Sequence, residues 1–270
     1  MNFDLDVLFN DVLSSVKNNK SYLISLIGAG GKTSTLFWLA QRFSQQGLSV
    51  LITTTTHMYR PEPSQAQTII EKEDWHALLT HQKASSSTPK IVALFTEYNA
   101  ATHKVSGITP EQADMLQAAQ LFDVILVEAD GAHQQLLKAP AGHEPCIPQS
   151  SKCVIALTGG LVINNPADPE QIHRWPIFAD LCGIKAGDRL NISVFERFIA
   201  HPDGMFKGTP PHALRVWFIN RLYQIDNALL GSLTALLKAR PELNTIWIGA
   251  VQESPPITHQ LCQSQTTSRN

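Results

Sequence analysis

Charge is scarce in this chain. Asp, Glu, Lys and Arg make up 16% of its 270 residues and the formal net charge is -2, so it lacks the broad basic surface that neutralises a nucleic-acid backbone. Long apolar runs are missing as well: no stretch of about 18 apolar residues occurs, which excludes a membrane-spanning helix on length. Cysteine is thin. The four present, Cys146, Cys153, Cys182 and Cys262, form no CxxC pair and fit neither a disulfide framework nor a zinc site, so they read as small buried hydrophobes. Residues 1–22 place Asp4, Asp6 and Asp11 among apolar side chains, without the basic start and apolar centre of a secretory signal. That stretch is expected to be an amphipathic helix, and the chain a soluble, cytoplasmic protein that uses neither nucleic acid nor membrane.

What the chain does have is a series of short apolar runs: 22–27, 49–53, 90–95, 123–127, 153–158, 216–219 and 245–251. Near-continuous apolar strands of this length are buried on both faces, as in a parallel sheet covered by helices. The expected fold is α/β, a mostly parallel sheet of the P-loop NTPase type with helices on both faces. Between the first two runs Leu36, Leu39, Ala40 and Phe43 recur at helical spacing, with Gly47 at the position of a C-cap. Residues 222–239 read as a long amphipathic helix ended by Pro241. A single nucleotide-binding domain is expected over residues 1–253, elaborated at about 160–215. Residues 60–67 and 83–90 read as loops, and the tail 254–270, with Pro255 and Pro256, as disordered.

Gly28-Ala29-Gly30-Gly31-Lys32-Thr33-Ser34 follows an apolar strand and opens a helix. In that context glycines let backbone N–H groups converge on phosphate oxygens, and the helix start adds its positive end. Lys32 would reach the β and γ phosphates and Thr33 would ligate Mg²⁺. The loop is shorter than GxxxxGKS/T, whose first glycine position holds Leu26, and resembles the GTxGKTS/T loop of the Mur ligases. A second strand, 123–127, ends in Glu128 and Asp130, which a period of two can aim to one face, as in a Walker B segment. The two roles, metal shell and polarisation of a reacting group, stay open between them. Thr54 and Thr55 leave a third strand at the same end and are candidate metal-side hydroxyls. The catalytic set is therefore Lys32, Glu128 and Asp130, with ATP or GTP and Mg²⁺ as cofactors.

GAGGKTST, the run TTTTHM, the segment VEADGAHQQLLKAPAGHEPCIP from Val127 to Pro148, Ile172-His173-Arg174, and HPDGMFKGTPPHALRVWFIN from His201 to Asn220 together resemble the YqeC-type selenium-dependent hydroxylase accessory proteins. The resemblance implies an NTPase serving maturation of selenium-dependent molybdenum hydroxylases, with such an enzyme or its cofactor-maturation proteins as partner. It makes Lys138, His143, Glu144, His173 and Arg174 candidate site residues. Lys138 and Arg174 suit an anionic second substrate, and His143 with Glu144 a proton-transfer pair. After Asn220 the chain continues Arg221-Leu222-Tyr223, without the aspartate of a guanine-reading Asn-Lys-x-Asp, so both adenine and guanine remain open. Two alternatives stand beside hydrolysis: a ligase or kinase acting on a small acidic acceptor, and a nucleotide-gated scaffold without turnover.

Overall fold

The computed structural model describes residues 6–71 and 91–263. Helix α1 (Asp6–Lys17) leads into β1 (Tyr22–Gly28), and α2 (Lys32–Gln45) into β2 (Val50–Thr54). Then come β3 (His57–Tyr59), β4 (Thr68–Glu71), β5 (Ile91–Phe95), β6 (Glu97–Asn99), β7 (Lys104–Ser106), α3 (Pro110–Ala119) and β8 (Val124–Glu128). The second half holds β9 (Leu137–Lys138), β10 (Cys153–Gly159), β11 (Ile172–His173), α4 (Trp175–Cys182), α5 (Ile192–Ala200), β12 (Leu214–Asn220), α6 (Asn227–Ala239), β13 (Thr245–Gly249) and β14 (Ile257–Cys262).

Nine strands form one sheet in the order β14-β13-β12-β10-β1-β8-β2-β5-β4. Every neighbouring pair is parallel except β13 with β14. The chain is thus an α/β protein with a large, mostly parallel sheet, and each of the seven apolar runs supplies one of its strands. The alternation along β1 explains why helices cover both faces. Ile24 and Leu26 pack with Leu36, Leu39 and Phe43 of α2, whereas Leu23 and Ile27 face the opposite cluster with Phe195 and Phe198 of α5 and Leu233 of α6. Leu26, at the position of the longer loop's first glycine, is fully buried inside the strand and pairs in register with Glu128 and Ile155. Burying each such side chain contributes roughly 1.5–3 kcal/mol. The two central strands beside β1 therefore fix where its carboxyl end, and the loop after it, must emerge.

Helix ends follow local chemistry. Gly47 (φ 85°) ends α2, with Leu48 N–H donating to the Phe43 carbonyl at 3.2 Å, the six-to-one closure of a Schellman turn. The helix expected from residue 222 begins at Asn227 instead, because Asp226 accepts from Leu229 N–H at 2.7 Å and caps it. The tail expected to be disordered is corrected over 257–262: β14 runs antiparallel along β13, with Ile257 buried and Leu261 against the core. Ile257 and Leu261 face opposite core clusters across a register shift in the pairing, so the run shows no alternation that would mark it as a strand. Residues 60–67 form a turn-containing connection, whereas the loop expected at 83–90 and the chain end from 264 lie outside the described residues. No described helix is long and apolar enough to cross a membrane.

Candidate functional site

The carboxyl ends of β1, β8 and β10 converge on the loop 28–34, the place where open α/β sheets bind ligands. Gly28 and Gly30 both have φ 87°. A Cβ on Gly28 would lie 2.4 Å from the Leu157 carbonyl oxygen, and one on Gly30 would lie 2.3 Å from the Gly159 nitrogen. Those contacts, all to backbone, leave no side chain other than hydrogen at either position. The loop is tied to one strand and two connecting segments: Gly28 N–H donates to Asp130 Oδ2 at 3.0 Å, Ala29 N–H to the Leu157 carbonyl of β10 at 3.0 Å, and Gly30 N–H to the Gln135 carbonyl at 3.1 Å. Gly31 then caps α2 with no side chain and no acid follows in the first turn. The positive end of α2 is thus presented without a counter-charge of its own.

Lys32 curls back over this loop. Its Nζ donates to the Gly28 carbonyl at 2.6 Å and lies 3.0 Å from Asp130 Oδ1. Thr33 points the other way, its hydroxyl donating to Glu128 Oε2 at 2.8 Å. The two acids therefore occupy different places. Glu128, the last residue of β8, faces the first turn of α2 beside a hydroxyl. Asp130, two residues into the following loop, lies beneath Gly28 and is shared by two lysines, with Lys138 Nζ 3.1 Å from its Oδ2. Burial raises the Glu128 pKa, against the opposing pull of Lys32 and of the Thr33 hydrogen bond.

Thr33 and Glu128 form an oxygen-only donor pair beside the helix start. Such a pair fits Mg²⁺, which keeps waters and substrate phosphates in its shell and needs few protein ligands. Among the described residues no cluster of three or more His, Cys, Asp or Glu side chains forms a metal cage. Thr54 and Thr55 lie on the same rim but spend their hydroxyl protons on backbone. Thr54 donates to the Glu128 carbonyl at 2.6 Å and Thr55 to the Cys146 carbonyl at 2.7 Å. The Thr54 hydroxyl braces the end of β8 and the Thr55 hydroxyl the segment at Cys146, and each keeps its oxygen lone pairs.

The residues from the segment after β8 join the same site through ion pairs. Lys138, on β9, reaches the Gly131 carbonyl, Asp130 and, at 2.6 Å, Glu144 Oε2. Arg174 meets that same Glu144 oxygen at 2.6 Å. A continuous chain, Lys32–Asp130–Lys138–Glu144–Arg174, thus runs from the loop to the surface, and register pairing of Lys138 with His173 holds β9 and β11 together. The three N–H groups of Lys138 all have acceptors, so its charge is spent internally. Burial would raise the Glu144 pKa, but hydrogen bonds from Arg174 and Lys138 hold it down at about 2. Its contact with the exposed His143 is 4.0 Å, beyond hydrogen-bond reach, so this pair is not assembled for proton transfer. His173 packs against His133 with ring centroids 4.8 Å apart. Its pKa is lowered to about 4 by burial and by the nearby Arg174, Lys138 and His133.

One residue carries more of the site than its sequence position suggests. Asn220, the last residue of β12, is buried and uses both ends of its carboxamide: Nδ2 donates to the Gly30 carbonyl at 2.7 Å and Oδ1 accepts from Val251 N–H at 3.1 Å. It clamps the glycine loop to the end of β13. A lone Asn closing an apolar strand at the ligand-binding edge is the signal that marks it.

Fold and site together define an α/β protein with a glycine-rich strand-to-helix loop over a buried lysine and two separated acids. The YqeC protein family matches over residues 24–176, and the chain belongs to that family. It is 43% identical to the YqeC protein of Escherichia coli (strain K12) over 238 residues, covering 88% of this chain and 91% of that one.

Proposed function

We propose that the chain is a Mg²⁺-dependent, P-loop NTPase-like protein that binds a nucleoside triphosphate in the 28–34 loop and hydrolyses it. The observation that carries this reading is the division of labour between the two acids, Glu128 beside the Thr33 hydroxyl and Asp130 beneath Lys32. Polyphosphate seated over the uncapped start of α2 meets the amides of its first turn and the ammonium of Lys32. Lys32 then exchanges Asp130 for phosphate oxygens, and the Asp130 charge stays compensated by Lys138. Thr33 and Glu128 would hold Mg²⁺, which when bound would supply positive charge against the phosphate oxygens. In keeping with the family resemblance, the hydrolysis would serve maturation of selenium-dependent molybdenum hydroxylases in the cytoplasm, with the ion-pair chain to Arg174 as the path toward a partner.

Phosphate release by the purified protein tests the reading. ATP or GTP hydrolysis that needs Mg²⁺ and falls about 100-fold or more in Lys32→Ala is expected. Equal rates in wild type and variant would remove the loop from the chemistry.

A second reading is phosphoryl transfer to a small acidic acceptor. It draws on the partly exposed Arg174 guanidinium and the neutral His173 at the outer end of the ion-pair chain. ATP consumption that begins only when a carboxylic acid acceptor is added would favour it over simple hydrolysis.

A further inference from the structure

Next to the loop on the same rim lies a shallow cleft walled by Ser34, Asn220, Arg221, Tyr223, Val251 and Gln252. Ser34 directly follows Thr33, and the opposite wall is the carboxyl end of β13, so this is the adjoining depression along the line from the phosphate seat. Its walls are held at a fixed spacing: the Asn220 carboxamide ties Gly30 to Val251, and Leu222 N–H donates to the Gly249 carbonyl at 3.1 Å.

The side chains displayed there are not needed for packing. Tyr223 is 60% exposed, and no described residue bonds its hydroxyl. Arg221 holds a left-handed backbone at φ 64°, which turns the chain sharply out of β12 and brings Arg221 and Tyr223 to the cleft. A non-glycine residue in this region is sterically costly and persists where its surroundings enforce it. Neither Arg221 nor Gln252 has an ion pair or hydrogen bond to another described side chain.

We infer that the nucleotide base lies against the rim of this cleft, whose interior of about 10 Å³ has room for only one water, and that the base is adenine; the inference rests on the triphosphate reading above. A phenol ring and a guanidinium plane offer stacking surfaces to a flat heterocycle. Gln252 supplies a carboxamide that both donates and accepts, matching the N1 acceptor and the exocyclic amine of adenine. Guanine presents two adjacent donors, N1–H and the 2-amino group, whose natural partner is a carboxylate, and no Asp or Glu lines the cleft.

Equilibrium titrations of the full chain with Mg²⁺ and three probes, non-hydrolysable ATP, non-hydrolysable GTP and inorganic tripolyphosphate, separate the base from the phosphates. Wild type should bind the ATP analogue more tightly than either of the others. Tyr223→Ala should weaken the ATP analogue by about tenfold and leave tripolyphosphate unchanged, while Tyr223→Phe keeps the ATP affinity. An unchanged ATP-to-tripolyphosphate ratio in Tyr223→Ala would place the base elsewhere and overturn the inference while sparing the phosphate seat. Tighter binding of the GTP analogue would overturn the choice of adenine. Failure of all three probes to bind wild type would remove the triphosphate reading and this inference together.

Discussion

The Thr33 hydroxyl donates to Glu128 Oε2 at 2.8 Å although the two residues stand 95 apart in the chain. This contact joins the first turn of α2 to the end of β8, and under the proposed function it makes Glu128, rather than Asp130, the metal-side acid. Glu128→Gln keeps the size and a hydrogen-bond acceptor for Thr33 but loses the charge. It should raise the Mg²⁺ concentration needed for half-maximal hydrolysis by about 10- to 100-fold. A Mg²⁺ titration of phosphate release checks it; an unaltered titration would return the role to Asp130.

Gly30→Ala is expected to disrupt the loop itself. Its Cβ would meet the Gly159 nitrogen at 2.3 Å, and φ 87° is strained for alanine. Both effects act on rigid backbone, so loss of nucleotide binding should come with a fall in stability of about 1–3 kcal/mol. Urea denaturation measures the second part. Gly131→Ala, where a Cβ would have nothing within 4 Å, is the matched control and should unfold close to wild type.

The ion-pair chain makes Lys138 a structural hub. Lys138→Met leaves Asp130 to Lys32 and Glu144 to Arg174, each with one cation where it had two. Loss of charged hydrogen bonds in a buried network should lower unfolding stability by about 2–3 kcal/mol. A denaturation midpoint equal to wild type would mean that Lys32 and Arg174 compensate fully.

Much of this arrangement was legible in the sequence, for a physical reason. Strands buried on both faces must be apolar along their whole length, so β1, β2, β5, β8, β10, β12 and β13 announce themselves, and Gly28–Thr33 and Glu128 fall at their ends. The separation of Glu128 from Asp130 was not legible. A period of two puts them on one face only while the strand continues, and β8 stops at Glu128. Nor could the pattern reveal that Lys138 is satisfied internally, since its partners Gly131, Asp130 and Glu144 meet it only after folding. The three-stranded sheet of β3, β7 and β6 consists of strands of three residues each, too short to show any periodicity.

Acid should destabilise the fold in two windows. His173 is held at a pKa of about 4, below its ordinary value near 6.5, so between these values the unfolded chain binds a proton that the native state does not. Its contribution to stability is complete above pH 6.5 and is lost as the pH falls toward 4. Glu144, held at about 2, behaves likewise below about pH 4.5, because its carboxylate is preferred in the folded state. Stability should therefore hold from pH 8 to about 6.5 and decline from there to pH 3, and His173→Asn should flatten the decline between pH 6.5 and 4. A variant curve parallel to wild type in that interval would exclude His173 as its source.

Calorimetric titration of a non-hydrolysable ATP analogue with Mg²⁺ into wild type and Lys32→Met tests the phosphate seat most directly. Saturable one-site binding in wild type, weakened about 100-fold or more in the variant, is the expected result. Wild type that gives no binding, or a Lys32→Met protein that binds as tightly as wild type, would contradict it.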